Sequence, residues 1–288
     1  MAGFNSLGDY AGSVVAGDSH YSSFRKTPSQ VTTAGIWFDL SLSPGNPNPQ
    51  YYAASPLIAQ QMKKSTDGGL NHGPDVSPAL KYVHRFLIMS NSATGLPMPY
   101  VLCDYLLYYP FVDTGTNDEQ LMTNSVSLPR WVDGKGVQMM AVSVASNSGT
   151  LPQFVVNYTN SAGVAARTSS VQTLNAATAN GSIITSSVGT AASSSPFIGL
   201  QTGDQGVRSV ESVTFTSGVD VGLFALVLVK PLLTSVLLEQ TAPSEVVPLA
   251  DQSQMPRVYD DAFLGLLTLP NGSLSGVSFF GELETVWN

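Results

Sequence analysis

The chain has 288 residues, of which 43% are hydrophobic and 11% are charged, and its net charge is −8. This length suits one large all-β domain or two smaller ones, and the apolar fraction is sufficient for a sizeable core. The acidic balance argues against direct binding of nucleic acid, because an acidic chain repels phosphate backbones and its basic pairs at 25–26 and 63–64 are too short to reverse this.

Residues 1–30 contain scattered aromatic side chains and no sustained hydrophobic period. This pattern predicts an extended N-terminal arm that lies across a neighbouring subunit, because freely disordered segments are poor in aromatic residues. A poorly ordered terminus is the alternative. The segment lacks a basic stretch followed by an apolar core, so no signal peptide is expected. The residues expected to contact partner subunits are Phe4, Tyr21, Phe24 and Trp37.

The remaining residues, 31–288, are predicted to form one β-sandwich domain with long loops and one short helix. Val31–Leu42 is a predicted strand, since alternate apolar side chains fall on one face. Ala53–Lys64 is the predicted helix, because its apolar residues follow helical spacing and two glycines follow its basic end.

From residue 82 onward, apolar segments alternate with turn residues, which predicts one strand after another. These strands are Tyr82–Ser90, Tyr100–Tyr109, Val137–Ala145, Gln153–Thr159, Val164–Gln172, Ile183–Val188, Phe197–Leu200, Val207–Thr216 and Val221–Val229. Leu264–Leu269 and Ser275–Leu283 are expected to form a closing hairpin over an Asn-Gly turn. Short strands with such turns are typical of an all-β sandwich or jelly roll. The most apolar strand, Val221–Val229, is too short to span a membrane as a helix, so no membrane contact is expected.

Charge is almost absent from residues 136–203, where Arg167 is the single charged side chain. A stretch of this length carries about 17 charges at average composition. Soluble proteins use charge to stay apart and to protect sheet edges from pairing. The stretch therefore predicts a surface that packs against other subunits in a stable assembly.

The titratable residues show no pattern of a metal centre or an activated nucleophile. His20, His72 and His84 lack metal-ligand spacing, so no metal site is expected. Cys103, the single cysteine, lies in an apolar run and is predicted to be a buried structural thiol.

Two groups of side chains leave a carbohydrate site open as an alternative. Glu282 and Glu284 would lie on one strand face about 7 Å apart, within the roughly 5–10 Å that glycosidases need. A solvated strand face or a calcium contact at an interface is the simpler interpretation. Tyr108 and Tyr109 could belong to a sugar-binding platform, although the interleaved leucines favour core packing.

No Gly-x-Ser-x-Gly elbow, phosphate-binding loop or dinucleotide-binding fingerprint occurs in the chain. The glycine-rich segment Asp133–Gly136 lacks the Gly-Lys-Ser/Thr ending of a phosphate loop and is predicted to be a tight turn. We therefore expect neither enzymatic activity nor a cofactor.

Several phrases distributed along the chain have a familiar wording and order. They are residues 34–41 (AGIWFDLS), 74–78 (PDVSP), 103–110 (CDYLLYYP), 134–138 (GKGVQ), 203–210 (GDQGVRSV), 230–232 (KPL) and 256–265 (PRVYDDAFLG). Together they resemble poorly characterised virion structural proteins of tailed bacteriophages, which are encoded near capsid genes. That family has no catalytic residues to carry over.

The resemblance implies a capsid decoration or cement protein that binds and stabilises the head shell. Its partners would be the major capsid protein or other virion subunits, a homo-oligomer is expected, and the protein would be located in the virion after assembly in the host cytoplasm. A tail, adaptor or head-fibre component is one alternative, and a carbohydrate-binding receptor module is another. If the arm binds a neighbour, deletion of residues 2–30 should abolish particle binding and leave a folded domain.

Overall fold

A computed structural model of the chain describes residues 3–176, 179–186 and 194–288. Strands make up 42% of the structure and helices 8%, and the strands form three antiparallel sheets. The predicted all-β, sandwich-like class is therefore confirmed.

The longest helix of the described residues is α1 (Leu7–Ala16), which lies within the predicted arm. Ser6 starts it, because its hydroxyl accepts a hydrogen bond from the backbone N–H of Asp9, and Gly17 ends it in the left-handed conformation. The remaining helical segments are short: a 3₁₀ turn at Leu40–Leu42, α2 (Lys64–Asp67) and α3 (Pro248–Asp251).

The strands of the first half of the chain are β1 (Ser19–Lys26), β2 (Phe38–Asp39), β3 (Gly45–Asn46), β4 (Gln60–Gln61), β5 (Lys81–Ser90), β6 (Met98–Asp113), β7 (Gln120–Leu121) and β8 (Gln138–Ala145). Those of the second half are β9 (Gln153–Asn160), β10 (Arg167–Thr168), β11 (Gln172–Thr173), β12 (Val207–Ser217), β13 (Leu223–Leu237), β14 (Ser244–Val246), β15 (Arg257–Val258), β16 (Phe263–Thr268) and β17 (Phe279–Trp287).

Three sheets arrange these strands. The first outer sheet has the order β14-β5-β17-β1-β3, with β15 also paired to β5. The central sheet has the order β2-β16-β6-β13-β8, with β4 paired to β6. The second outer sheet has the order β10-β9-β12-β7, with β11 also paired to β9.

Two apolar clusters fill the space between the central sheet and the outer sheets. The first contains Phe24, Val83, Phe86, Ile88, Phe279 and Leu283 of the first outer sheet with Met98, Tyr100, Leu102, Leu233, Leu237, Leu264 and Leu266 of the central sheet. The second contains Phe154, Val156, Tyr158, Val210, Val213 and Phe215 of the second outer sheet with Leu107, Tyr109, Val112, Met139, Ala141, Phe224, Leu226 and Leu228 of the central sheet. Strands β6 and β13 contribute to both clusters, and also to a third cluster that includes Tyr105, Val227 and Phe263.

A buried ion pair lies where β6 passes from one cluster to the other. Asp104 falls between Leu102 of the first cluster and Leu107 of the second. Arg130 Nη2 lies 2.7 Å from Asp104 Oδ1, and Arg130 Nε lies 3.0 Å from Asp104 Oδ2. Both side chains are at most 5% exposed. Burial of two charges is tolerated only because they pair closely and bond further groups, here including the carbonyl oxygens of Met62 and Tyr105.

Four connections that the sequence marks as turns lead from one sheet to another. They join β5 to β6, β8 to β9, β12 to β13, and β16 to β17. The predicted closing hairpin was therefore wrong, because β16 pairs with β2 and β6 whereas β17 pairs with β1 and β5. Turn residues report that the chain reverses, but they do not report which sheet the next strand enters.

Segment 19–26 of the predicted arm is an interior strand of the first outer sheet. β1 pairs with β17 over its full length, from Ser19 opposite Val286 to Lys26 opposite Phe279. Lys26 is buried, donates hydrogen bonds to the carbonyl oxygens of Ser43 and Pro47, and has its pKa lowered to about 8 by burial. This part of residues 1–30 therefore belongs to the sandwich rather than to an extended arm.

The helix predicted at Ala53–Lys64 was also wrong. The chain there is extended enough for β4 to pair with β6, and Leu57 has a positive φ of 59° that a helix excludes. Pro56 lacks a backbone N–H, which further disfavours a continuous helix across the segment.

Other strand boundaries differ from the predictions. Val31–Leu42 contains only the two-residue strand β2 and the 3₁₀ turn. Val164–Gln172 contains β10 and the start of β11, and Phe197–Leu200 is not a strand. The prediction at Ile183–Val188 lies partly outside the described residues, and Ile183 makes an isolated bridge to Val142.

A buried histidine fastens the loop before β5 to the C-terminal half of the chain. His72 Nε2 donates to the carbonyl oxygen of Ala262 at 3.0 Å, and Nδ1 accepts from Lys81 Nζ at 3.3 Å. The hydroxyl of Thr285 donates to the backbone carbonyl of His72 at 3.0 Å. Burial, followed by the nearby charges of Lys81 and Lys64, lowers the pKa of His72 to about 3.

This histidine predicts a loss of stability in mild acid. The unfolded chain takes up a proton on His72 near pH 6.5, whereas the folded chain does so only near pH 3, so stability falls as pH decreases between these values. At pH 4 the wild type is expected to have lost about 3 kcal/mol more than the His72→Gln variant, relative to pH 7. Urea unfolding of both proteins at several pH values measures this, and parallel pH profiles would contradict it.

Candidate partner-binding surface

Two of the four aromatic residues expected to contact partners lie inside the folded chain. Phe24 is 5% exposed and stacks on Phe86, with 5.7 Å between the ring centroids. Trp37 is 8% exposed, and its Nε1 donates to the carbonyl oxygen of Ser194 at 2.9 Å. For Phe24 and Trp37, packing in the core replaces the expected partner contact.

The other two aromatic residues lie on the outer face of the first outer sheet. Phe4 is half-buried between the rings of Tyr10 and Tyr82, with centroid distances of 5.2 and 5.5 Å. Tyr21 is 56% exposed, and its hydroxyl donates to Glu282 Oε1 at 3.1 Å. Of the four, only Tyr21 presents most of its side chain to solvent.

The glutamate pair near the end of the chain is bridged by one arginine. Arg85 Nη1 lies 3.0 Å from Glu282 Oε2 and 2.9 Å from Glu284 Oε1, and Arg85 Nε also pairs with Glu245. Arg85 therefore links β5 to β14 and β17 on one face of the first outer sheet. His84 joins the same network through its Nε2, which lies 3.7 Å from Glu284 Oε2, and its Nδ1 hydrogen-bonds the hydroxyl of Tyr10.

The tyrosines considered as a sugar platform are core residues. Tyr108 is 6% exposed and packs against Tyr52. Tyr109 is fully buried, and its hydroxyl donates to Asn124 Oδ1 at 2.7 Å and accepts from the backbone N–H of Val210 at 3.0 Å. Burial raises the pKa of Tyr109 to about 12. Core packing of both side chains is confirmed.

Cys103 is buried, as predicted, and burial raises the pKa of its thiol well above the ordinary value. Within residues 3–176, 179–186 and 194–288, no group of three or more His, Cys, Asp or Glu side chains could hold a metal ion. Among the described residues, no helix has the length and apolar character needed to cross a membrane.

The charge-poor stretch has two different structural explanations. Much of β8 and β9, and all of residues 181–186, are buried, so charge is absent there because the residues form the core. A second part is exposed, at residues 162–171 and 199–203, which we call the neutral edge. Its exposed apolar side chains include Val164 at 51% and Val171 at 57% exposure. This exposed part is the one that core packing does not explain.

Hydrogen bonds to β9 hold the neutral edge in place. β10 and β11 pair with β9, and the backbone N–H of Ser170 donates to the carbonyl oxygen of Gly199 at 2.8 Å. A cavity of about 630 Å³ lies between these two segments and is lined mainly by hydroxyl, amide, aliphatic and backbone groups. The edge is therefore an ordered surface rather than a linker.

The charges at the neutral edge cancel each other. Arg167 Nε lies 3.0 Å from Asp204 Oδ2, and Asp204 also accepts hydrogen bonds from Tyr158 Oη at 2.6 Å and Asn160 Nδ2 at 2.7 Å. The hydrogen bond from Arg167 is the main cause that lowers the pKa of Asp204 to about 2. With this ion pair formed, Arg167 adds no net charge to the edge.

No protein-family model matches the chain, and neither a curated protein nor a solved structure matches it.

Proposed function

We propose that the chain is a structural protein of a tailed-bacteriophage particle, and most specifically a decoration protein that binds and stabilises the head shell. The neutral edge is the observation that carries this proposal. Surfaces of soluble domains are normally about 25–35% charged, whereas the cores of protein interfaces are depleted of charge. An ordered, exposed surface with one neutralised charge has the composition of an interface. The sequence phrases that resemble virion proteins are the reason for proposing a phage particle as the assembly.

The cavity beside the neutral edge supports a binding role over a catalytic one. Among the described residues, Asp204 is the one charged residue that lines it, and its carboxylate already accepts bonds from Arg167, Tyr158 and Asn160. An acid–base catalyst needs a titratable group within reach of a substrate and with a pKa near the working pH. The lowered pKa of Asp204 is far from that condition.

The proposed mechanism is burial of neutral surface against many identical sites. Burying charged groups at an interface carries a large desolvation cost, which hydroxyl, amide and valine side chains largely avoid. Each bound copy stabilises the partner state by mass action, and repetition over a lattice multiplies the effect without covalent bonds.

The direct test is a reconstruction of particles from the phage that encodes the chain. We expect density for the chain on the head shell in a copy number that follows the capsid lattice. A copy number that follows the tail or a vertex would overturn the decoration role in favour of a tail, adaptor or head-fibre component. Absence of the chain from purified particles would overturn the proposal as a whole.

A pair of variants then tests the surface itself. Val164→Asp places an unpaired charge in the proposed interface and is expected to weaken binding to heads that lack the chain by about tenfold or more. Val15→Asp is the matched control, because Val15 is 88% exposed on α1, away from the neutral edge. Equal loss of binding by both variants, or by neither, would contradict the assignment of the neutral edge.

A further inference from the structure

A row of alternating cationic and aromatic side chains lies beside the buried ion pair. Lys230 Nζ lies 5.0 Å from the centroid of the Trp131 ring, and Arg257 Cζ lies 4.1 Å from that of Tyr259. The two rings meet edge to face at 5.0 Å. Trp131, Lys230 and Arg257 also line a cavity of about 400 Å³ whose other wall is residues 252–256.

A hydrogen bond from the indole nitrogen fixes the orientation of the Trp131 ring. Its Nε1 donates to Asp104 Oδ2 at 3.0 Å, and the same carboxylate is held by Arg130. Trp131 has a positive φ of 51°, which is unfavourable for a bulky residue and persists only where the surrounding structure imposes it. Strain of this kind concentrates at functional sites, and here it places a preorganised ring at the mouth of a cavity.

The cavity is positively charged although the chain is acidic. Lys230 and Arg257 are the charged residues that line it, and neither forms an ion pair within the described part of the chain. Lys230 Nζ donates to the carbonyl oxygen of Lys135 at 3.0 Å, and Asp133 contributes a more distant negative charge. The site therefore combines two cations that have no ion-pair partner among the described residues with a net charge of −8 for the whole chain.

Two carboxylates that share a neighbouring cavity with Arg257 are held by other groups. Asp260 and Asp261 line a neighbouring cavity of about 300 Å³ that also includes Arg257. Asp260 pairs with Lys81 at 3.4 Å and accepts from the backbone N–H groups of Val76 and Ser77, and Asp261 accepts from the backbone N–H of Ser65 at 2.8 Å. These bonds leave Arg257 available to an external anion.

We propose that this cavity binds an acidic polypeptide segment, with one carboxylate at Lys230 and a second at Arg257. The rings of Trp131 and Tyr259 lie between the two cations in the row. An extended segment presents alternate side chains on one face, about 7 Å apart, so it offers a separate carboxylate to each cation. The proposal does not depend on a virion role, because it rests on the charges and geometry of this cavity.

Nucleic acid fits the site less well. Base stacking on single strands needs accessible aromatic faces. Here Lys230 covers a face of Trp131 and Arg257 covers a face of Tyr259. The acidic chain also repels a long polyanion more strongly than it repels a short peptide with two carboxylates.

The test uses the full chain and a capped pentapeptide with the order serine, glutamate, serine, glutamate, serine, titrated by calorimetry at low salt. We expect a dissociation constant in about the millimolar range or below, and a loss of at least about tenfold in the Arg257→Gln and Lys230→Gln variants. The peptide with both glutamates replaced by glutamine should not bind. Thermal unfolding of each variant establishes that it is folded.

The proposal would be overturned by equal binding of the acidic and amide peptides or by unchanged affinity in both folded variants. Tighter binding of a ten-nucleotide oligothymidylate than of the acidic peptide would overturn it as well. Displacement of the peptide by inorganic phosphate at equal concentration would also overturn it, because the site would then select single small anions. Retained affinity for the acidic peptide in Arg25→Gln, a cation on β1 that does not line this cavity, completes the expected pattern.

Discussion

Deletion of residues 2–30 is expected to prevent the chain from reaching its native fold. The deletion removes β1 from between β17 and β3, and it removes Phe24 from the first core cluster. Truncation of one buried phenylalanine alone costs about 3–5 kcal/mol, whereas the whole stability of a domain is about 5–15 kcal/mol. The deletion also exposes the edge of β17, and such an edge promotes aggregation. Circular dichroism and size-exclusion chromatography will report a loss of native structure.

Deletion of residues 2–17 is the matched control. It removes α1, whose buried contacts are limited to Tyr10 and Ser13, and it leaves β1 and its pairing with β17 intact. Trp287 keeps its backbone hydrogen bond to the carbonyl oxygen of Asp18. This shorter variant is expected to be folded and cooperative in urea. A folded 2–30 deletion would contradict the structure of the first outer sheet and restore the separate arm.

Replacement of Arg130 by methionine is expected to lower the free energy of unfolding by about 3–5 kcal/mol. The substitution leaves the carboxylate of Asp104 buried without its counter-ion, at a point where both apolar clusters meet. Loss of one partner from a buried pair is costly for this reason, even where the pair itself contributes little. Urea unfolding of the two proteins at pH 7 measures the difference.

The double variant Arg130→Met with Asp104→Leu provides the control. Removal of both charges eliminates the unpaired carboxylate, so this protein should recover most of the stability lost by the single variant. Trp131 loses its hydrogen-bond acceptor in the double variant, which sets a limit on the recovery. A double variant as unstable as Arg130→Met would show that the loss arises from packing rather than from charge.

The sequence is sufficient to predict strands whose side chains face a core on at least one side. β9 is the clearest example, because Phe154, Val156 and Tyr158 alternate with more polar residues and are all buried. Apolar runs likewise predict β6 and β13, although each extends several residues beyond its most apolar part. These strands could be predicted because their hydrophobic pattern is set by local burial.

Some segments that the sequence did not predict owe their structure to residues elsewhere in the chain. β1 buries only Phe24 and Lys26, so it shows no apolar alternation, and it is a strand because β17 supplies hydrogen-bond partners. α1 carried a readable signal in Ser6, Asp9 and Gly17, which are N-terminal and C-terminal capping residues. The assignment of successive strands to different sheets has no local signal at all.

The sequence predicts one of the two candidate sites in part and the other not at all. The absence of charge indicated the neutral edge, but only the structure separates its exposed residues from the buried ones of β8 and β9. The cation–aromatic row was not predictable, because Trp131, Lys230 and Arg257 come from three distant parts of the chain. Their approach depends on Asp104 and Arg130, which the sequence does not identify as a pair.

The exchange of strands between sheets has a consequence for how the chain is made. Neighbouring strands such as β5 and β6 cannot form local hairpins, since each needs partners that are distant in sequence. In the first outer sheet, Ser19 pairs with Val286, so this pairing forms only after both residues have been synthesised. Contacts between residues so distant in sequence slow folding, because the entropy of closing long loops is lost before the contacts form. Folding times of about milliseconds to seconds or longer are expected. During synthesis most of β1 therefore lacks its partner strand until residues 279–286 have been made, and its few buried side chains limit its tendency to pair with the wrong chain.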